Sequence, residues 1–227
     1  MHYLLWLAHQ GVGVIRVNRE WMTWNLFLAF VPVALGWWLL GRSLRRRAAW
    51  WAGVAVFALF LPNAPYVVTD LLHFRVDAYR ATSTSVLVLA IFPLYALFVL
   101  AGYLAYLVAL DRVVREVRSW RPRLWRWQIE APVHLACSVG IVLGRIARLN
   151  SWDTVSSPAT TLERSFATVT WQGAPAAVLL VFVAVWLTTT ASRLLVWVAV
   201  EAVGASWSAV AGPPQTEGAA ERCFETS

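Results

Sequence analysis

The sequence predicts an all-α fold, a polytopic transmembrane helix bundle with five spans. Of the 227 residues, 59% are hydrophobic and only 14% are charged, whereas soluble domains are about 45–50% apolar and about 25% charged. The mean hydropathy is +0.60. Several stretches also reach the roughly 20 apolar residues that a helix needs to cross the hydrocarbon core of a membrane. These observations largely exclude water-soluble enzyme folds.

The predicted spans are Trp24–Gly41, Ala48–Thr69, Ser85–Leu110, Ala131–Leu149 and Pro175–Ser192. Residues 1–15 are apolar but too short for a further span. They are a partial span, an interfacial helix, or the remainder of a sixth helix if the N-terminus is truncated. We expect a membrane domain over residues 1–203 and a disordered polar tail over residues 204–227, where apolar residues give way to Pro, Gly and charged residues.

Arginines in the connecting segments predict the orientation. The segments 42–47 and 111–130 contain ten arginines, and both lie on one side of the membrane if all five spans cross. The positive-inside rule makes this side cytoplasmic. The C-terminus is then cytoplasmic, and segments 70–84 and 150–174 face outward. The same arginines explain the net charge of +7 without a nucleic-acid partner.

A break is expected near the outer end of the second span, in the sequence LPNAPYVVTDLLHFRVD. Pro62 and Pro65 each lack a backbone donor and disfavour helix in the preceding residue. We expect Asn63 to cap a helix that restarts near Pro65. Irregular backbone at membrane depth is tolerated only where it is buried in protein or lines a cavity. The break therefore indicates a candidate site.

Beyond this break, polar residues recur at spacings of four, three and four: Tyr66, Asp70, His73 and Asp77. These spacings place them on one helical face. Two carboxylates and an imidazole there predict either a divalent metal site or a general acid and base. Asp70 and His73 are the catalytic candidates. The alternative is a kinked helix whose polar face only meets water and lipid headgroups.

The fourth span ends in LGRIARLNSWD. Gly140 and Gly144 form a small-xxx-small pair that lets another helix approach closely. Arg145 lies one turn inside the outer end and needs an acidic partner, for which the candidates are Asp70, Asp77 and Asp153. Arg145 and Arg148 either clamp an anionic group, which guanidinium forks fit well, or fasten two helices together.

The first span begins with Trp24 and Asn25, also at the predicted outer face. Asparagine in a transmembrane helix commonly bonds a neighbouring helix, so we expect a structural role for Asn25 at the border of the same cavity. Three separate segments thus place polar residues at one membrane face. This convergence is the main functional indication in the sequence.

Three sequence segments, WNLFLAFVP, FLPNAPYVVTDLLH and LGRIARLNSWD, resemble signature segments of the family called domain of unknown function 1361. The resemblance covers about residues 24–153 and implies a polytopic protein of the bacterial inner membrane. It implies no activity, and it implies a further apolar span before the first segment. The family's characteristic positions correspond here to Asn25, Asn63, Pro65, Tyr66, Asp70, His73, Arg145, Asn150, Trp152 and Asp153.

The sequence leaves three functions open. The first is an enzyme that acts on a lipid or envelope substrate at the extracytoplasmic face. The second is a non-catalytic membrane assembly or scaffold protein, and the third is a small-solute transporter, for which broken spans are a known indication. The lipid bilayer is the expected partner, and homo-oligomers remain open. The cofactor is unknown, with a divalent metal as the candidate.

Overall fold

Long apolar helices make up the fold, because a chain in lipid must satisfy its backbone hydrogen bonds within each segment. The structure, a computed structural model, describes residues 2–41, 48–149 and 151–211. Every secondary-structure element in these ranges is helical, which confirms the predicted all-α class. The α-helices are α1 (His2–Leu39), α2 (Ala48–Phe60), α3 (Asn63–Tyr66), α4 (Leu71–Arg80), α5 (Thr84–Val86), α6 (Phe92–Trp120), α7 (Arg126–Ile146), α8 (Asp153–Ser156), α9 (Pro158–Val169) and α10 (Ala174–Ala211).

Five helical stretches in the described ranges are long and apolar enough to cross a membrane, as predicted. They are His2–Leu39, Ala48–Arg80, Thr84–Trp120, Arg126–Ile146 and Ala174–Gly204. The protein is therefore a multi-pass helical membrane protein. The chain divides into two compact units, residues 1–189 and 190–227.

The N-terminal apolar run is part of the first long helix rather than a separate element. Helix α1 runs without interruption for 38 residues, about 57 Å at 1.5 Å per residue, against a hydrocarbon core of about 30 Å. The residues between the predicted N-terminal run, 1–15, and the predicted first span, which begins at Trp24, are mostly polar. They are compatible with helix, however, and the first proline in α1 is Pro32, so nothing in the backbone ends the helix there.

The second span is broken, as predicted, but the restart differs in detail. Helix α2 ends at Phe60, α3 begins at Asn63, and a 3₁₀ turn over Val67–Asp70 joins α3 to α4. The predicted capping role of Asn63 is wrong, because Pro62 occupies the N-cap position without a side-chain cap bond. Instead the Asn63 amide donates backward to the carbonyl oxygen of Phe60 at 2.9 Å. It thereby satisfies a backbone carbonyl group at the end of α2 rather than a backbone N–H group at the start of α3.

Helices α1 and α6 run side by side in the same direction. A Cβ atom added to Gly11 would lie 3.6 Å from Cβ of Ala90, and one added to Gly36 would lie 3.8 Å from Cβ of Arg112. A π-helical segment, Leu87–Ile91, joins α5 to α6. Buried tyrosines of α6 occupy the centre of the core, and they are Tyr95, Tyr103 and Tyr106.

The fourth span packs closely on the break in the second. A Cβ added to Gly140 would lie 2.6 Å from Cγ of Pro62, and one added to Gly144 would lie 3.3 Å from Cε2 of Tyr66. The predicted close approach at this glycine pair is confirmed. Because glycine has no side chain, α7 packs closely against the turn that contains Pro62. The polar end of α7 therefore lies next to this turn.

The two ends of the first unit differ in their residues. The Asp70 end comprises residues 62–84 and 143–149 and 151–173, and the Trp120 end comprises residues 39–41, 48–51 and 111–130. At the Trp120 end the rings of Trp50 and Trp120 lie 5.7 Å apart, and the Trp50 indole donates to the carbonyl oxygen of Leu39 at 3.0 Å. The arginine-rich segment 42–47 lies outside the described residues.

The last helix, α10, continues from Ala174 to Ala211. It starts at the predicted span and extends past the predicted beginning of the polar tail at residue 204. The remainder of that tail, residues 212–227, lies outside the described residues.

Candidate functional site

A buried carboxylate lies at the centre of the Asp70 end. Asp70 is 2% exposed, and its two oxygens have different partners. Asn25 of α1 donates to Oδ2 at 2.7 Å, and Arg145 of α7 donates to Oδ1 at 2.7 Å. The predicted bond from Asn25 to a neighbouring helix is confirmed, and Asp70 is identified among the three candidate partners of Arg145. One carboxylate therefore joins three spans.

The local backbone explains how Asp70 reaches this position. The 3₁₀ turn Val67–Asp70 follows the proline-containing α3 directly, so the chain winds more tightly just before α4 begins. Thr69, in the same turn, accepts a hydrogen bond from Nε of Arg145 at 2.9 Å. Two adjacent residues of one turn thus hold two nitrogens of the same guanidinium, which fixes its orientation.

An aromatic ring supports Arg145 from one side. Its guanidinium carbon lies 4.7 Å from the centroid of the Tyr66 ring, within the range of a cation–π interaction. The Arg145 side chain keeps 29% of its surface exposed. The guanidinium is thus held by a carboxylate, a hydroxyl and a ring, yet it remains accessible.

His73 lies beside this pair but is much more open. Its side chain is 51% exposed, and its Nδ1 lies 3.9 Å from Oδ1 of Asp70. The imidazole stacks on the Trp21 ring of α1, with ring centroids 4.6 Å apart. Asp70 therefore faces both a guanidinium and an imidazole, of which only the imidazole is mainly exposed.

These side chains border a cavity of about 350 Å³, within the range of about 300–1,000 Å³ for small-molecule pockets. Its polar lining includes Asn25, Asn63, Tyr66, Asp70, His73, Arg145, Ser151, Thr154, Thr161 and Ser165. Trp21 and Trp24 form part of the wall. Most of the sequence-predicted residues thus converge on one concave surface, and the last four hydroxyl-bearing residues were not predicted.

Asn63 connects this cavity to the segment after α7. Its amide donates to Oγ of Ser151 at 3.0 Å, and the Ser151 hydroxyl donates to the carbonyl oxygen of Leu59 at 3.1 Å. The carbonyl oxygen of Leu59, near the end of α2, is therefore satisfied from the neighbouring segment, which fastens the wall of the cavity to the broken span.

Asp77 does not line this cavity, although it lies on the predicted helical face. It is two helical turns beyond Asp70, and its Oδ2 accepts from the amide of Asn18 at 2.8 Å and from the hydroxyl of Tyr95 at 3.0 Å. The Trp21 indole donates to Oδ1 of Asn18 at 2.9 Å. This second polar cluster thus also positions the ring on which His73 stacks.

Sequence reasoning missed Asn18 and Tyr95. A signal for Asn18 was present, because Asn18 and Asn25 are seven residues apart on α1, as Asp70 and Asp77 are on the opposing span. Two helices with matching seven-residue spacings can form the same Asn–Asp pair twice. Tyr95 lies in an apolar run of α6 and offered no comparable signal.

The remaining predicted residues lie at the margin of the site. Arg148 is exposed, has a positive φ of 54°, and is not among the residues that line the cavity. The Trp152 ring meets the Trp24 ring edge to face, with centroids 5.9 Å apart. The backbone carbonyl of Asp153 accepts from the Thr161 hydroxyl at 2.9 Å. Asn150 lies outside the described residues.

The proposed metal ligands do not share one centre. The oxygens of Asp70 are bonded to Asn25 and Arg145, whereas Asp77 is bonded to another cluster. Over residues 2–41, 48–149 and 151–211, no three His, Cys, Asp or Glu side chains form a group suited to a metal ion. A guanidinium at the carboxylate favours an anion over a divalent cation. A metal at Asp70, His73 and Asp77 stays a prediction.

A family model described as protein of unknown function (DUF1361) matches residues 24–188. No curated protein and no solved structure matches the chain. The matched region contains most of the cavity wall and all of the Asn25–Asp70–Arg145 cluster, and it covers well over half of the sequence. The chain therefore belongs to the DUF1361 family of proteins of unknown function.

Proposed function

We propose that the protein is an enzyme of a bacterial cytoplasmic (inner) membrane that acts on a lipid or envelope substrate with an anionic head. The observation that carries this proposal is the cavity of about 350 Å³ in which an accessible, rigidly held Arg145 lies close to the exposed imidazole of His73. One group suits anion binding and the other suits proton transfer.

The orientation supports an extracytoplasmic site. The arginines of segments 42–47 and 111–130 predict a cytoplasmic Trp120 end under the positive-inside rule. The Asp70 end then faces outward, and five crossings leave the C-terminus in the cytoplasm. A cavity at this end is open to the outer leaflet and to the envelope.

The chemistry divides between three side chains. Arg145 binds the anionic head, because a guanidinium donates to carboxylate or phosphate oxygens with a matching planar geometry. Asp70 acts as a positioning residue, since Asn25 and Arg145 already occupy its oxygens. His73 transfers a proton to or from the substrate, the role that histidine most often has as a general acid or base.

Native mass spectrometry of the full chain, extracted with its surrounding lipid, tests this proposal. We expect the wild type to retain an anionic ligand and Arg145→Gln to lose it. Arg164→Gln removes an exposed arginine of α9 and is the matched control, which should retain the ligand. Absence of an anionic ligand from the wild type, or equal retention by Arg145→Gln, would overturn the binding role.

The proposed role of His73 in proton transfer is tested separately. His73→Gln should still bind a ligand, because Arg145 and Asp70 remain. The retained molecule should differ in mass from that on the wild type, since an inactive enzyme holds unconverted substrate. Identical species on both proteins would leave the binding role in place and refute the role of His73.

One observation favours a second candidate, a scaffold. Asp70 is 2% exposed and joins three spans, which is also what a purely structural fastening requires. A scaffold predicts that Asp70→Arg combined with Arg145→Asp restores both stability and cellular function. A ligand site predicts that this double exchange restores stability at most, because the guanidinium then leaves its place in the cavity.

A further inference from the structure

A second, apolar cavity lies next to the polar one. It has a volume of about 180 Å³ and lies between three helices, lined chiefly by Val139, Val142, Leu143, Val169, Ala174 and Val178. The polar group in this lining is Thr168, which is 7% exposed. We call this space the apolar groove.

The two cavities share a wall residue of α7, and helix α9 borders both of them. We call α9 the roof. Leu143 lines both of them. Helix α9 contributes Thr161 and Ser165 to the polar cavity, and it contributes Thr168 and Val169 to the apolar groove. A molecule with a polar head and an apolar chain could therefore extend across Leu143 beneath a single helix.

Helix α9 also has the surface expected of a roof that lies in lipid. Leu162 is 71% exposed and Phe166 is 73% exposed, and their spacing of four places them along one face. Val169, at the edge of the groove, is 56% exposed. The polar side chains Thr161 and Ser165 face the cavity instead. An amphipathic helix with its apolar face outward fits the membrane interface, from which a lipid can enter.

We propose that the apolar groove binds the hydrocarbon chain of the ligand whose anionic head Arg145 holds, so that the substrate class is an anionic lipid. This inference rests on the proposed function and adds the chain as a recognition element. The occupant follows from the arrangement: the groove adjoins a guanidinium site, it is apolar, and the roof over both spaces faces lipid.

Alkyl phosphates provide the probe. The affinities of the purified full chain for inorganic, butyl, octyl and dodecyl phosphate are measured in one uncharged detergent. Micelles also bind the longer chains, but the ratio of variant to wild-type affinity at each chain length cancels that contribution. Each buried methylene is expected to contribute up to about fourfold in affinity.

Two substitutions fill the groove from opposite walls, Val178→Phe on α10 and Val139→Phe on α7. We expect at least tenfold weaker binding of dodecyl phosphate and unchanged binding of inorganic phosphate. Val183→Phe is the matched control, because Val183 is 45% exposed on the same helix as Val178 and does not line the groove. If the phenylalanine variants do not fold, Val178→Thr keeps the side-chain size and should selectively weaken binding of the long chains.

The outcomes separate this inference from the function on which it rests. If the wild type binds phosphate and the groove variants bind every alkyl phosphate as the wild type does, the chain-binding role is overturned and the anion site stands. If the wild type binds neither phosphate nor any alkyl phosphate, the anion site fails and the chain-binding role fails with it.

Discussion

The two ends of the membrane bundle carry similar ion pairs in opposite environments. At the Asp70 end, the Asp70 and Arg145 side chains are 2% and 29% exposed. At the Trp120 end, Asp111 pairs with Arg126 at 3.2 Å, and these side chains are 33% and 43% exposed. Asp111 also pairs with Arg115, whose side chain is 65% exposed. Asp70 is enclosed by three spans, whereas Asp111 and its two arginines are partly or mainly exposed. Arg126 also pairs with Glu130, whose side chain is 6% exposed.

This difference indicates where polar residues serve more than solubility. Taking a charge out of water is costly, and a buried ion pair often stabilises a fold no better than apolar residues would. Exposed pairs cost little and contribute little. Asp70 has two hydrogen-bonded partners, Asn25 and Arg145, and His73 lies 3.9 Å away. A sequence that keeps this carboxylate buried at the edge of a cavity therefore retains it for a reason that the exposed pairs of Asp111 do not share. The accessible Arg145 supplies that reason in the proposed function.

The largest expected effect is that of Asp70→Asn. Removing one partner of a buried ion pair leaves Arg145 without its compensating charge, which costs about 3–5 kcal/mol in the free energy of unfolding. Unfolding in mixed micelles with increasing dodecyl sulfate measures this loss. Glu163→Gln removes an exposed carboxylate on α9 and is the matched control. A loss below about 1 kcal/mol would place Asp70 with the surface pairs.

Local signals in the sequence predict the spans and the break, but not which side chains meet in the site. Apolar stretches of sufficient length gave the five spans, and two prolines gave the break, because both signals are local. The identity of the partner of Arg145 was left open among Asp70, Asp77 and Asp153. Only the path of the backbone through the 3₁₀ turn decides which carboxylate reaches α7, and no spacing rule carries that information.

The second cluster was harder to foresee. Asp77 shares a helical face with Asp70, yet it pairs with Asn18 and Tyr95 rather than entering the cavity. Its pairing depends on which residues of α1 and α6 lie opposite the end of the second span, and this follows from how the helices pack. Likewise, the roof formed by α9 depends on how residues 151–173 fold back, which the amphipathic pattern of α9 alone does not determine.

The next effect concerns the close contact that holds the Asp70 end together. In Gly140→Ala the new Cβ would lie 2.6 Å from Cγ of Pro62, so α7 must move away from the break. Such overpacking costs about 1–3 kcal/mol in the free energy of unfolding. Gly13→Ala is the control, since a Cβ there has no neighbour within 4 Å. Equal effects of the two substitutions in the same unfolding assay would contradict the close approach.

A smaller effect is expected from Tyr95→Phe, which removes the hydroxyl that donates to Asp77 at 3.0 Å. The loss of one hydrogen bond corresponds to about 0.5–1.5 kcal/mol in unfolding free energy, or up to about 3 kcal/mol if the carboxylate is poorly compensated. Asn18 still bonds Asp77 in the variant, which favours the lower value. Tyr79→Phe, at an 80% exposed position, should leave the stability unchanged, and a matching loss there would refute the assignment.

The smallest effect should come from the Trp120 end and completes the comparison. Asp111→Asn removes the charge that pairs with Arg115 and Arg126. Because these side chains are partly or mainly in water, the unfolding free energy should fall by about 0–1 kcal/mol. Salt should reduce the difference further, since ions screen exposed charges within a Debye length of about 8 Å at physiological ionic strength. The Asp70→Asn effect should persist at high salt, because its pair is enclosed. If both substitutions respond equally to salt, the Asp70 and Asp111 pairs do not differ in solvent access, and the distinction between a buried functional pair and an exposed pair loses its physical basis.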